Sequence, residues 1–90
     1  MIRVTFTENR VTLQGHANYA PKGEDVVCAA VSALVYALIG TLEEMNNVRE
    51  LVIRPGYATV AAHEKTTAFD MVQRGLAQIA SKYPQCVELR

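Results

Sequence analysis

Residues 25–45 read DVVCAAVSALVYALIGTLEEM, and the way this run is housed decides the fold. From residue 26 to residue 42 it carries no charge, while Glu24, Asp25, Glu43 and Glu44 stand on its flanks. Apolar side chains occupy nearly every angular position, so the stretch reads as a helix buried on more than one side. A membrane span is the competing reading. The run sits at the short end of the roughly 17–25 residues that a span needs, is interrupted by Ser32, Gly40 and Thr41, and is bracketed by acids, so a core helix is expected. Asp25 is its expected N-cap, because a short carboxylate accepts from the free amides of the first turn. In a chain of 90 residues such a helix needs cover from a sheet and from a second subunit.

Outward from the helix, the pattern changes period. Ile2, Val4 and Phe6 alternate with polar neighbours, and after Glu8 and Asn9 the alternation resumes with Val11, Leu13 and Gly15, which describes a hairpin. Parity puts His16 with Arg10, Thr12 and Gln14, at the strand end and away from the apolar row. Residues 18–23 contain Pro21, Lys22 and Gly23 and read as a mobile loop that acts as a gate. Beyond the helix, residues 48–54 and 57–63 flank a Pro55-Gly56 turn, a second hairpin. Thr67 and Asp70 resemble a capping box, and Phe69, Val72, Leu76, Ile79 and Tyr83 recur at helical spacing until Pro84 stops the helix. Residues 86–90 form a last strand. The order ββαββαβ predicts an α+β fold, one domain over residues 1–90, with two helices covering a largely antiparallel sheet.

Composition narrows the function classes. Nine basic residues balance nine acidic ones, with no basic stripe interleaved with aromatics, so direct nucleic acid binding is not expected. Residues 1–10 carry Arg3, Glu8 and Arg10 where a signal peptide has an apolar stretch, and a cytoplasmic location is expected, with no membrane partner. Two cysteines are too few for a disulfide framework and are read as thiols.

The chemistry concentrates at Cys28, the third helical residue after an Asp25 cap. Free amides and the partial positive charge of a helix start favour a thiolate there, and the same amides can bind the oxyanion of acyl transfer. Proton transfer needs an imidazole, and the eleven residues between His16 and Cys28 are long enough to bring the two together. Against this stands the plainer reading of a packed cysteine and a surface histidine. Asp25 has two readings, a helix cap or a third member orienting His16, and the cap is favoured. Ser32 shares a helix face with Cys28 and reads as a packing residue. Cys86 and His63 lie at strand ends without a helix start beside them and are read as structural. Two Cys and two His at these separations match no zinc spacing, no C-x-x-C supports redox chemistry, and no metal or cofactor is expected.

Taken together, Gly15-His16-Ala17 and the stretch from Gly23 through Asp25 and Cys28 to Leu34 resemble the bacterial ribosomal-processing cysteine protease family. That family couples a GHA element to a G-x-D-hydrophobic-hydrophobic-C-A element at a helix start, and both are present in order. The resemblance implies an endopeptidase with Cys28 as nucleophile and His16 as general base, with Asp25 at a further motif position. It also implies a homodimer that removes a short N-terminal extension from large-subunit ribosomal protein twenty-seven, cutting after aromatic residues. The alternative is a non-catalytic dimeric module that binds a ribosomal or peptide partner.

Overall fold

Alternation along the first hairpin sorts its side chains to two faces, and the rest of the fold is laid against the apolar one. The computed structural model describes residues 1–21 and 23–90. Strands β1 (Ile2–Phe6) and β2 (Arg10–Gln14) pair antiparallel, with Val4 opposite Leu13 and Phe6 opposite Val11. Helix α1 (Val26–Glu44) follows, then β3 (Glu50–Arg54), β4 (Tyr57–Ala61), helix α2 (Thr67–Lys82) and β5 (Val87–Leu89). The expected α+β order ββαββαβ is therefore the observed one.

The strands form one sheet in the order β3-β4-β2-β1-β5. β2 pairs antiparallel with β4, β3 with β4, and only β5 runs parallel to its neighbour β1. Ile2, Val4, Val11, Leu13 and Val60 point to the helices and are buried, as period-two alternation requires of a sheet with one covered face. Arg3, Thr5 and Gln14 point the other way and are exposed. On that open face Thr59 is buried beneath neighbours rather than a helix: its hydroxyl lies 3.0 Å from the Thr12 hydroxyl and accepts from Arg10 Nη1 at 3.0 Å.

α1 is long and apolar enough to cross a membrane by length and composition, and it packs here as a layer on the sheet. It buries Val27, Val31, Val35, Leu38, Ile39 and Leu42, a stripe at i, i+4, i+8 spacing. Its other side stays open, so the single chain covers this helix on one flank only. α2 is amphipathic by contrast, burying Phe69, Val72 and Leu76. The two helices meet where Leu34 lies over Gly75; a Cβ built at Gly75 would stand 2.9 Å from a Leu34 methyl. The N-cap of α2 is Thr66, whose hydroxyl accepts from the Ala68 amide, one residue before the capping box read from Thr67. Asn47, buried after α1, donates to the Glu64 carbonyl at 2.9 Å and accepts from the Glu64 amide at 3.0 Å, tying the loop before β3 to the loop before α2.

Leu42 is fully buried in this core. Leu42→Ala is expected to lower unfolding free energy by about 2–5 kcal/mol through lost burial and an incompletely filled cavity. Urea denaturation checks it: the midpoint should fall while the slope, set by the surface exposed on unfolding, stays the same.

Candidate active site

α1 starts where it does because of one carboxylate. Asp25 has extended backbone and its Oδ1 accepts from the Val27 amide at 3.0 Å and the Cys28 amide at 2.9 Å. Its Oδ2 accepts from the Tyr19 amide at 3.0 Å and the Ala20 amide at 3.3 Å. The Cys28 amide does most to hold the Asp25 carboxyl below its ordinary value, partial burial opposes it, and the Tyr19, Ala20 and Val27 amides add to the lowering. Asp25 thus acts as the cap and as the anchor of the preceding loop, and it makes no hydrogen bond to His16 among the described residues.

This arrangement bears on two expectations. Residues 18–23 were expected to form a mobile gate; Lys22 lies outside the described residues, but Tyr19 and Ala20 are tethered to Asp25, and the Tyr19 ring meets the Tyr83 ring edge-on at 5.4 Å. The first-turn amides were expected to be free for an oxyanion. Those of Val27 and Cys28 are taken by the Asp25 side chain, and that of Ala29 by the Asp25 carbonyl at 3.1 Å.

Parity along β2 misplaces His16. The strand ends at Gln14, and Gly15 takes φ +99°, so the alternation stops one residue short of the histidine. A side chain at Gly15 is excluded twice, by that backbone conformation and by the Met1 carbonyl oxygen, which would lie 2.1 Å from a Cβ. The turn swings His16 to the helix side of the sheet, where it lines a cleft of about 260 Å³ together with Cys28. The ring lies against the Pro55-Gly56 turn: a Cβ at Gly56, itself at φ +71°, would be 3.0 Å from His16 Nε2. The Gly15 amide donates to the Gly56 carbonyl at 2.9 Å, extending the β2–β4 pairing to this point. Gly56 is therefore a wall of the site that the sequence presented only as a hairpin turn.

Cys28 is half-buried, and its sulfur accepts from the Ala17 amide at 3.5 Å. Cys86 is 3% exposed, in the core just before β5, and cannot meet a substrate. His63 lies past the end of β4, exposed and outside the cleft. Ser32 is exposed on the cleft wall one turn after Cys28, rather than packed. The deep walls are apolar, with buried Leu13, Val31 and Val35; Tyr36 and Ile53 stand exposed at the mouth. Arg54, whose guanidinium sits 4.4 Å from the centre of the Tyr57 ring, is the one formally charged lining residue among those described. A thiol and an imidazole in a trough walled mainly by apolar side chains suit attack on a peptide carbonyl beside an apolar side chain.

Comparison with known proteins agrees with this chemistry. A sequence model of the cysteine protease Prp family matches residues 1–88. The chain belongs to the cysteine protease Prp family. It is 31% identical over 91 residues to the ribosomal processing cysteine protease Prp of Mycoplasma pneumoniae, covering 97% of this chain and 91% of that protein. The corresponding Mycoplasma genitalium protein is 30% identical over 88 residues, covering 93% of this chain and 89% of that one. Among solved structures, SMU.848 from Streptococcus mutans superposes with a TM-score of 0.79 at 28% identity, covering 100% of this chain and 92% of that chain. Prp from S. aureus, solved with a covalently linked product peptide, shares the fold at a TM-score of 0.83 and 19% identity, covering 99% of this chain and 95% of that chain. As a Prp-family member the chain is a cysteine protease, and the reading of a non-catalytic module is set aside.

Two outcomes follow from the site geometry. Gly56→Ala is expected to displace the His16 ring and to strain the turn, lowering peptide cleavage at least tenfold while costing roughly 1–3 kcal/mol of stability; a cleavage assay paired with thermal melting separates the two effects. Asp25 contributes stability that is present above the ordinary aspartate value of 3.8 and is lost as pH falls through it towards the lower folded value. Asp25→Asn should therefore be less stable than wild type at neutral pH, and the gap should close below pH 3.8 in acid-unfolding curves.

Proposed function

We propose that this cysteine protease uses Cys28 as nucleophile and His16 as general base and acid, acting as a dyad without a third carboxylate. The observation that carries the reading is the shared cleft: of the two cysteines only Cys28 lines it, and of the two histidines only His16 does. His16 makes no hydrogen bond among the described residues, and the contact that moves a proton from sulfur to Nε2 or Nδ1 closes when substrate fills the trough. The thiolate then attacks the scissile carbonyl, the imidazolium protonates the departing amine, and water releases the acyl group.

The substrate in this reading is the N-terminal extension of large-subunit ribosomal protein twenty-seven, cut after an aromatic residue. The apolar walls and absence of carboxylates along the described lining suit an aromatic ring next to the scissile bond. Relatives named as ribosomal processing proteases support the ribosomal target, and a cytoplasmic location goes with that reading. The active form is a homodimer. Tyr36 at 60% and Val26 at 58% exposure lie on the open side of α1, and Leu51 and Ile53 of the edge strand β3 face the helix side without a helix over them. A second copy would remove this apolar surface from water.

Cys28→Ser and His16→Ala should each reduce cleavage of the extended ribosomal protein by at least 10³-fold with folding retained, as followed by mass spectrometry of the products and by circular dichroism. Cys86→Ser should lose stability, because it puts a hydroxyl in the core, yet keep wild-type turnover per folded molecule. Turnover by Cys28→Ser would overturn the assignment. Sedimentation at micromolar concentration should show a species heavier than the 9.9 kDa chain.

A further inference from the structure

The geometry points to the backbone amide of Ala17 as the oxyanion donor of this protease. The inference rests on the Cys28 reading above and adds the group that stabilises the charge Cys28 creates.

The argument is one of donors and what they already hold. When sulfur attacks, the new C–S bond draws its electron pair from the thiolate, and the carbonyl π pair moves onto oxygen, leaving an oxyanion about 2.5–3 Å from the sulfur in a tetrahedral adduct. That oxygen needs an N–H that is near Sγ and otherwise unspent. In the first turn of α1, the usual supplier, the Val27 and Cys28 amides are held by Asp25 Oδ1 and the Ala29 amide by the Asp25 carbonyl. In the loop that faces it, Gly15 donates to Gly56, and Tyr19 and Ala20 donate to Asp25 Oδ2. Ala17 differs from all of these. Its amide donates to Cys28 Sγ at 3.5 Å, a weak acceptor, rather than to an oxygen. A small rotation of that N–H carries it from the sulfur to an oxygen two bonds away.

The site is also built to keep this amide in place. Ala17 is 2% exposed and packed in the core, so its methyl is fixed while its N–H is directed at the sulfur of Cys28, which lines the cleft. On one side Gly15 is fastened to Gly56, and on the other Tyr19 and Ala20 are fastened to Asp25. The donor is thus preorganised and needs no reorganisation when charge develops, which is the condition under which one such donor is worth about 10²–10³ in kcat. Collapse of the adduct returns the electron pair to form the thioester carbonyl, breaks the C–N bond, and sends the amine out with the proton held on His16. Water then repeats the sequence on the thioester, and the same amide holds the second oxyanion.

The Val27–Cys28 bond offers a ligation junction, so the full chain can be assembled from a synthetic 1–27 thioester and a 28–90 segment beginning with Cys28. Replacing Ala17 by lactic acid in the first segment turns its amide into an ester, which removes the N–H and keeps the methyl. With a peptide that the ligated wild type cleaves, the ester protein is expected to show kcat lower by 10²–10³ and KM within about threefold. Affinity for a peptide aldehyde, which forms a tetrahedral adduct with the thiol, should fall by a similar factor. Alkylation of Cys28 by iodoacetamide, a displacement at a saturated carbon that makes no oxyanion, should change less than about threefold. A kcat within threefold of wild type overturns the proposal, and so does a parallel fall in alkylation and cleavage, which would assign the amide to the sulfur instead. If the ester chain does not fold, the wild type decides: its Ala17 amide proton should move strongly downfield on binding the aldehyde, and an unmoved resonance overturns the assignment. Failure of the underlying reading looks different, because then Cys28→Ser cleaves the peptide as well as wild type.

Discussion

The carboxylate of Asp25 holds the active end of this molecule together. Two of its four accepted amides belong to the first turn of α1 and two to the loop that leads away from His16. Remove it and the helix would lose its cap while the loop lost its anchor, and Cys28 and Ala17 would no longer have a fixed relation. An acid near a nucleophilic thiol opposes thiolate formation by like charge. Here the carboxylate's charge is spread into four N–H groups, and its hydrogen bonds point to the backbone rather than to sulfur or imidazole. Asp25 is thus a structural clamp between the helix start and the loop before it.

With no carboxylate hydrogen-bonded to it among the described residues, the imidazole is held by shape. Gly15 turns the chain off the end of β2, and Gly56 presents a bare backbone surface for the ring to lie on. The two glycines are joined by a hydrogen bond at 2.9 Å that continues the β2–β4 register beyond the strands themselves. Placement of the His16 ring therefore depends on strand pairing between distant parts of the chain, and any slip of that register would carry Gly56 away from His16.

The apolar economy of the fold explains the rest of its surface. A sheet with one covered face and two helices gives α1 shelter along Val27, Val31, Val35, Leu38, Ile39 and Leu42 only. The opposite side, with Val26 and Tyr36, and the uncovered Leu51 and Ile53 of β3 remain in water in the single chain. Tyr36 and Ile53 also edge the cleft, so the surface best suited to a second copy adjoins the site where peptide enters.

Much of this was legible in the residues themselves. Short-range rules place the strands by alternation, the helices by period and Pro84, and the Asp25 cap by its position before an apolar run; all depend on neighbours within a turn or two. Cys28 was singled out for the same reason, by its place three residues after the cap. The sequence was less informative wherever a residue's role depends on a distant one. The capping hydroxyl of α2 proved to be Thr66, a one-residue difference set by how the chain enters the helix. His16 lies on the helix side because one positive φ at Gly15 cancels the parity of the strand, and strand alternation carries no information past such a turn. Asp25's hold on Tyr19 and Ala20, the seat of His16 on Gly56, and the Ala17 amide directed at Cys28 are contacts between segments, fixed only when the sheet is assembled and each backbone donor has been assigned its acceptor.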